Sequence, residues 1–139
     1  MKNLTLSLDD CDDDFSLIGI STSLKGYKLC WEINNLLNFN LIRYDDIELI
    51  KKDMSIHFAV YKYEIEEDFT SFYLISNNNK NINLLPERKE ADFLLMIKEP
   101  ISNDEINSYI KKLRNINNIQ IAFNIIPETL KSRNNLIIE

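Results

Sequence analysis

The chain has 139 residues and a formal net charge of −6 at pH 7. Phosphate backbones repel an acidic chain at long range, which argues against a nucleic-acid partner. Hydrophobic residues make up 45% and charged residues 27% of the sequence, proportions typical of a soluble globular protein with its own core. We therefore expect a single globular domain over residues 1–139.

Several classes of site lack the residues that they need. With two glycines there is no Gly-rich phosphate loop, and with one histidine, His57, there is no multi-histidine metal site. The sequence has neither a signal-peptide core nor an apolar run of ~18 residues, so we expect a cytoplasmic protein with no membrane segment. Cys11 and Cys30 are too few for a disulfide framework and are expected to be free thiols. No cofactor or metal is predicted.

The N-terminal part predicts a weak strand, an acidic loop and a helix. Residues 3–8 alternate in polarity as a half-buried strand does. The aspartates within residues 9–14 predict a solvated loop, because the mid-loop glycine of a calcium loop is missing. Residues 15–20 are apolar and form either a short strand or the approach to a helix. From residue 24 to 39 apolar side chains recur at helical spacing, and Cys30 falls on the buried stripe.

Four strand-like runs follow, and the short polar connections between them favour an antiparallel meander. These runs cover residues 41–51, 54–65, 69–76 and 91–98. The Asn-rich residues 77–81 are expected to form a turn, because asparagine tolerates the left-handed backbone region and glycine is scarce.

The C-terminal part predicts a second helix and a further strand. Ser102 and Glu105 have the spacing of a capping box, so a helix should begin there. Residues 119–126 read as a strand, and the chain closes on the apolar residues 136–138. Together the elements predict an α+β fold, with an antiparallel sheet of about five or six strands and two main helices packed on one face.

A Pro-Glu turn, a charged run and an apolar strand follow one another between residues 84 and 97. Pro86 fixes its own backbone angle, Glu87 can cap free amides or pair with a base, and Asp92 can bond turn amides at the start of the strand. Glu87 and Asp92 could also act as a catalytic acid–base pair, but no other polar residues in the nearby sequence support that role. The segment is therefore predicted to be a structural junction.

This segment resembles the signature of the bacterial IPExxDY (IPExxxDY) family. Leu85, Pro86 and Glu87 stand for Ile-Pro-Glu, and Asp92 and Phe93 stand for Asp-Tyr. Other segments that look like the family are residues 17–21, 27–31, 73–76 and 129–137. The resemblance implies no activity, since the family has none assigned. It also implies that genes of the family lie near genes for ribonuclease III and pyruvate kinase. Phenylalanine at position 93 lacks the tyrosine hydroxyl, which argues against a chemical role there.

The leading hypothesis is a small cytosolic non-enzymatic protein that acts by binding another protein, or a second copy of itself as a homodimer. Its candidate surface consists of aromatic side chains, which supply contact area at low entropic cost. They are Trp31, Tyr61, Tyr63 and Tyr73. Packing in the core is the competing interpretation of the same residues.

Two further hypotheses stay open. A small-molecule-binding or enzymatic domain would use a pocket near His57, between the sheet and the helices, with Tyr61, Tyr63 and Glu87 as further candidates. The simpler interpretation of His57 is a hydrogen-bonded structural histidine. An accessory role in RNA metabolism would rest on basic side chains, which are Lys111, Lys112, Arg114, Lys131 and Arg133.

Overall fold

The structure is a computed structural model that describes residues 15–65, 67, 70–99 and 101–136. Several features of the sequence lie outside the described residues. They are the predicted strand at 3–8, the acidic run 9–14 with Cys11, Phe69 at the start of one predicted strand, and residues 137–138.

Eight strands and two helices follow one another along the described chain. They are β1 (Ser16–Thr22), α1 (Gly26–Leu37), β2 (Ile42–Lys51), β3 (Met54–Ile65), β4 (Thr70–Ser76), β5 (Asn78–Asn79), β6 (Ile82–Asn83), β7 (Phe93–Ile97), α2 (Asn103–Leu113) and β8 (Ile119–Ile125). Three short 3-10 turns cover Pro86–Arg88, Pro127–Thr129 and Arg133–Leu136.

Six of the strands form one antiparallel sheet in the order β2-β3-β4-β7-β1-β8, and β5 pairs with β6 in a separate hairpin. The predicted α+β fold is confirmed, with six strands in the main sheet and two helices. Residues 16–22 form a strand, which settles the choice that the sequence left open between a strand and a helix approach. The four runs predicted as a meander are neighbours in the sheet, and β1 and β8 extend it beyond β7.

The local sequence supplies a cap at the start of α2 and at the end of α1, whereas no side chain caps the start of α1 at Lys25. The capping box of α2 is formed: Ser102 Oγ accepts from the Glu105 N–H at 3.2 Å, and Glu105 Oε1 accepts from the Ser102 N–H at 3.3 Å. Helix α1 ends at Asn38, whose φ of 58° places it in the left-handed region. Cys30 is buried on the inner side of α1, as predicted, and burial raises the pKa of its thiol.

The sheet is covered on both faces. On one face the two helices pack against alternate side chains of β1, β4, β7 and β8. On the opposite face neither α1 nor α2 contributes, and the cover comes from residues 84–91 and 130–136, two segments that contain only short 3-10 turns. Their buried side chains are Leu84, Leu85, Ala91, Leu130 and Leu136. The junction predicted from the sequence is therefore part of this second core.

Asparagine takes the place of glycine at left-handed positions. Among the described residues, three of the six positive φ values belong to asparagine (Asn38, Asn81 and Asn118), the others belong to Lys52, Asp53 and Lys80, and none belongs to a glycine. Asn81 belongs to the Asn-rich run that was expected to form a turn, and it closes the β5–β6 hairpin. Gly19 has a different task, because a Cβ there would lie 2.6 Å from Cζ of Phe123, so the missing side chain lets this ring cross β1.

Candidate functional site

We use the term junction for residues 84–92, which include most of the family-like motif. Within it, Leu85 is fully buried and precedes the 3-10 turn, so the Glu87 side chain points away from the core. The carboxylate of Glu87 accepts three hydrogen bonds from the C-terminal segment. Oε2 accepts from the N–H groups of Lys131 at 2.6 Å and Ser132 at 3.0 Å, and Oε1 accepts from Ser132 Oγ at 2.6 Å. Glu87 thus joins two segments that are more than 40 residues apart in sequence.

These hydrogen bonds control the ionisation of Glu87. Partial burial raises the pKa of its carboxyl, but hydrogen bonds from the Ser132 hydroxyl and from backbone amides that include those of Lys131 and Ser132 outweigh that effect. The net result lowers the pKa of Glu87 from 4.5 to about 2. A carboxylate held in its charged form by internal donors is suited to structure, since a general acid needs a pKa near neutrality.

Asp92 joins the start of β7 to the end of β1. Its Oδ2 accepts from the Thr22 N–H at 2.8 Å and lies 3.5 Å from Ser21 Oγ. Its backbone N–H donates to Ile20 O at 2.8 Å. Asp92 therefore bonds strand amides, and the next residue, Phe93, is buried in the helix-side core.

Asn77 holds the junction from inside, and sequence reasoning missed it. The side chain is fully buried; Nδ2 donates to the carbonyls of Arg88 at 2.9 Å and Ala91 at 2.8 Å, and Oδ1 accepts from the Leu85 N–H at 2.7 Å. From the C-terminal side, Asn135 Nδ2 donates to Leu84 O at 2.8 Å. The signal available in the sequence was only a run of asparagines, which does not tell a buried amide from a turn residue.

The four aromatic residues proposed as one partner surface do not share a surface. Trp31 is 55% exposed on α1, whereas Tyr73 is 5% exposed in the core on the opposite face of the sheet. Tyr61 and Tyr63 are half-buried on the helix side. The reason is strand register: Tyr73 pairs with Lys62, which lies between the two tyrosines of β3 and so points to the other face.

Tyr27 joins Trp31 as an exposed aromatic pair on α1. Tyr27 is 68% exposed, and the two residues are four apart, so their side chains lie on the same side of the helix. The Lys28 ammonium lies 4.3 Å from the centroid of the Trp31 ring and 3.9 Å from a carboxylate oxygen of Glu32. The buried stripe of α1 consists of other residues, so the core does not require this pair.

His57 lies on the exposed β2–β3 hairpin, beside Ser55 and two carboxylates. Its Nε2 is 3.3 Å from Ser55 Oγ, and its Nδ1 is 3.7 Å from Asp46 Oδ2. Ser55 Oγ also donates to Glu48. The side chain of His57 is 54% exposed. The order serine, histidine, aspartate resembles a hydrolytic triad, but the histidine–aspartate distance is too long for a hydrogen bond and the hairpin is open to water.

The basic residues considered for RNA binding are distributed over different elements. Lys111 and Lys112 lie in the last turn of α2, where they suit the helix dipole. Arg114 donates from Nη2 to Ala122 O at 3.0 Å, so its side chain is held against β8. Across the described residues, no group of three or more histidine, cysteine, aspartate and glutamate side chains could hold a metal ion. Neither of the two described helices is long and apolar enough to span a membrane.

Comparison with known proteins adds no relative. No protein-family model matches the chain, and no curated protein matches it.

Proposed function

We propose that the chain is a small cytosolic, non-enzymatic protein that binds another protein through Tyr27 and Trp31 of α1. The observation that carries this proposal is the exposure of both rings on one side of a helix whose buried stripe lies elsewhere. Exposed tryptophan and tyrosine are the side chains most often found as anchors of protein interfaces.

The exposed pair has enough apolar area to anchor an interface. Burying the exposed half of an indole, on the order of 130 Å2, would stabilise a complex by roughly 3 kcal/mol before the costs of association. Folding does not gain this energy, because Trp31 remains 55% exposed. A partner that covers the ring would gain it.

The charged residues around Tyr27 and Trp31 indicate which kind of partner surface would fit. Lys25 and Lys28 flank the two rings, and the only acidic side chain on α1, Glu32, already pairs with Lys28. Lys25, Lys28 and Glu32 together leave one positive charge, so this surface is weakly basic on a chain of net charge −6. It suits a partner with an apolar groove and an acidic rim.

Affinity capture with matched variants tests the proposal. Tyr27→Ala should change the free energy of unfolding by no more than about 0.5 kcal/mol, because its side chain is 68% exposed. Trp31→Ala should cost roughly 1–2 kcal/mol, because the covered part of the ring loses its contacts, so the fold of each variant is first checked by circular dichroism. Both should lose a protein that the wild type retains from native cytosol. The control is Ile50→Ala, which removes an equally exposed apolar side chain, 70% exposed, from the end of β2. Equal retention by wild type, aromatic variants and control would contradict the proposal.

In this account the junction supports the fold and takes no part in binding. Glu87 and Asp92 have their carboxylates engaged by internal donors, so neither is available as a recognition group without disrupting the core cover. We also propose membership of the IPExxDY family. The support is the sequence resemblance.

A second candidate, a hydrolase that uses Ser55, His57 and Asp46, is favoured only by their order and by the 3.3 Å contact between Ser55 and His57. Its test is hydrolysis of an activated ester by the wild type and by Ser55→Ala and His57→Ala. Turnover that both variants abolish would establish this function. Equal background rates in all three proteins would remove it.

A further inference from the structure

A cleft of about 390 Å3 opens between the sheet and α2, where β3, β4 and β7 end or begin. This volume lies within the range of roughly 300–1,000 Å3 typical of small-molecule sites. Phe72 and Ile97 contribute apolar surface, and Tyr109 lines the α2 side. Thr70, Glu99 and Glu105 supply the polar groups. The cleft is separate from the exposed pair on α1.

Two aromatic rings line this cleft, Phe72 from the sheet and Tyr109 from α2. Phe72 and Tyr109 meet edge to face, with ring centroids 6.1 Å apart and an interplanar angle of 76°. Behind Phe72 lie Phe39 at 4.5 Å and Tyr63 at 6.0 Å between ring centroids. Phe72 is only 3% exposed, and Phe39 and Tyr63 do not line the cleft, so these rings support an apolar wall. Tyr109 is the aromatic ring in the lining that a cation could approach, since ring faces carry partial negative charge. Burial and the charge of Glu105 both raise the pKa of Tyr109, so its phenol stays neutral at physiological pH.

Two carboxylates from different segments face the same cleft, and the protein orients both of them. Glu99 Oε2 accepts from Thr70 Oγ1 at 2.8 Å. Glu105 Oε1 accepts from the backbone and hydroxyl of Ser102 in the capping box of α2. Within the described part of the chain neither carboxylate forms a salt bridge. Lys112 does not line the cleft; it lines an adjoining hollow of about 190 Å3 that shares Glu105 and Tyr109 with the cleft.

We propose that this cleft binds a small organic cation with an apolar body, of the alkylammonium or arylammonium class. Tyr109 and the isoleucines of the lining, Ile65, Ile97 and Ile101, would contact the carbon groups, and Glu99 and Glu105 would neutralise the charge. Both carboxylates would repel an anionic ligand, and a neutral molecule of the same shape would gain only the apolar contacts.

The test is an NMR titration of the full chain with choline as the probe. Its neutral isostere, in which carbon replaces the quaternary nitrogen, is titrated in parallel. We expect saturable shifts of the amide signals of Thr70, Phe72, Glu99 and Tyr109, with the isostere about tenfold weaker. Added salt should weaken choline binding and leave the isostere unchanged, because only the former depends on charge.

Charge-neutral variants separate the carboxylates from the fold. In Glu99→Gln/Glu105→Gln the amides still accept from Thr70 and Ser102, since glutamine also serves in a capping box. This variant should bind choline about tenfold more weakly. The control Glu90→Gln/Glu128→Gln removes the same net charge from exposed sites outside the cleft and should bind as the wild type does.

Three results would overturn the proposal. They are no saturable shifts with choline, equal affinity for choline and its isostere, and unchanged affinity in the cleft variant. The first two are measured on the wild type, so the proposal remains testable if the variant fails to fold.

Discussion

Replacing Glu87 with glutamine tests the inference that this carboxylate joins the junction to the C-terminal segment. The substitution keeps the size of the side chain and one acceptor oxygen but removes the charge that three donors stabilise. The matched control is Glu128→Gln. Glu128 also follows a proline, and it is an exposed glutamate whose carboxylate accepts no hydrogen bond from the other described residues.

The magnitude follows from the lowered pKa of Glu87. The difference between the usual 4.5 and the value of about 2 in the folded chain sets an upper bound of roughly 3 kcal/mol. Because the side chain is exposed, solvent screens the interaction, and we expect a loss of about 1 kcal/mol on substitution. For a domain of this size the melting temperature should fall by roughly 3 °C.

The pH dependence gives the sharper test. The pKa of Glu87 is lower in the folded chain than in the unfolded chain, so the ionised carboxylate stabilises the fold above about pH 4.5. This contribution is lost as the pH falls from 4.5 towards 2. Urea unfolding of wild type and Glu87→Gln should therefore differ at neutral pH and converge at acidic pH.

Two results would refute this reasoning. One is a loss of stability in Glu87→Gln no larger than that in Glu128→Gln. The other is a difference between wild type and Glu87→Gln that stays constant across the acidic range.

Three further substitutions probe other parts of the fold. Asn77→Ala should cost about 3 kcal/mol in urea unfolding, because it leaves one buried N–H and two carbonyls without their partner, and a loss below that of an exposed asparagine would contradict the assignment. Gly19→Ala should cost about 1–3 kcal/mol of unfolding free energy, because the new methyl group collides with the Phe123 ring. In a double-mutant cycle Phe123→Leu should recover part of this loss, and strictly additive effects would contradict the predicted collision. Ser102→Ala should cost about 1 kcal/mol by thermal melting, and an unchanged melting temperature would mean that the capping box contributes nothing.

Local sequence patterns predicted the elements that depend on local contacts. The capping box at Ser102 marked the start of α2, and the spacing around Cys30 placed the buried side of α1. Each of these signals arises within one or two helical turns. The predicted strand at residues 91–98 is shorter, because the Ala91 N–H still bonds the 3-10 turn at Arg88 O and the strand begins at Phe93.

The parts that could not be predicted depend on contacts between distant segments. Glu87 meets Ser132 across 45 residues, and nothing near either residue indicates the pairing. The cover of the second sheet face by irregular segments likewise has no periodicity to detect. Tyr73 and Tyr61 lie on opposite faces of the sheet because of the register between β3 and β4. The sequence of either strand alone does not reveal this register.

The central claim is that Trp31 anchors a protein partner, and fluorine NMR of chain labelled with fluorotryptophan tests it most directly. Trp31 is the only tryptophan in the chain, so one signal reports on this side chain even in a mixture with unlabelled protein. We expect the free chain to show a signal sensitive to solvent isotope and to a soluble paramagnetic agent. On addition of the captured partner the signal should shift, broaden and lose that sensitivity. A signal that remains solvent-exposed in the complex would contradict the account.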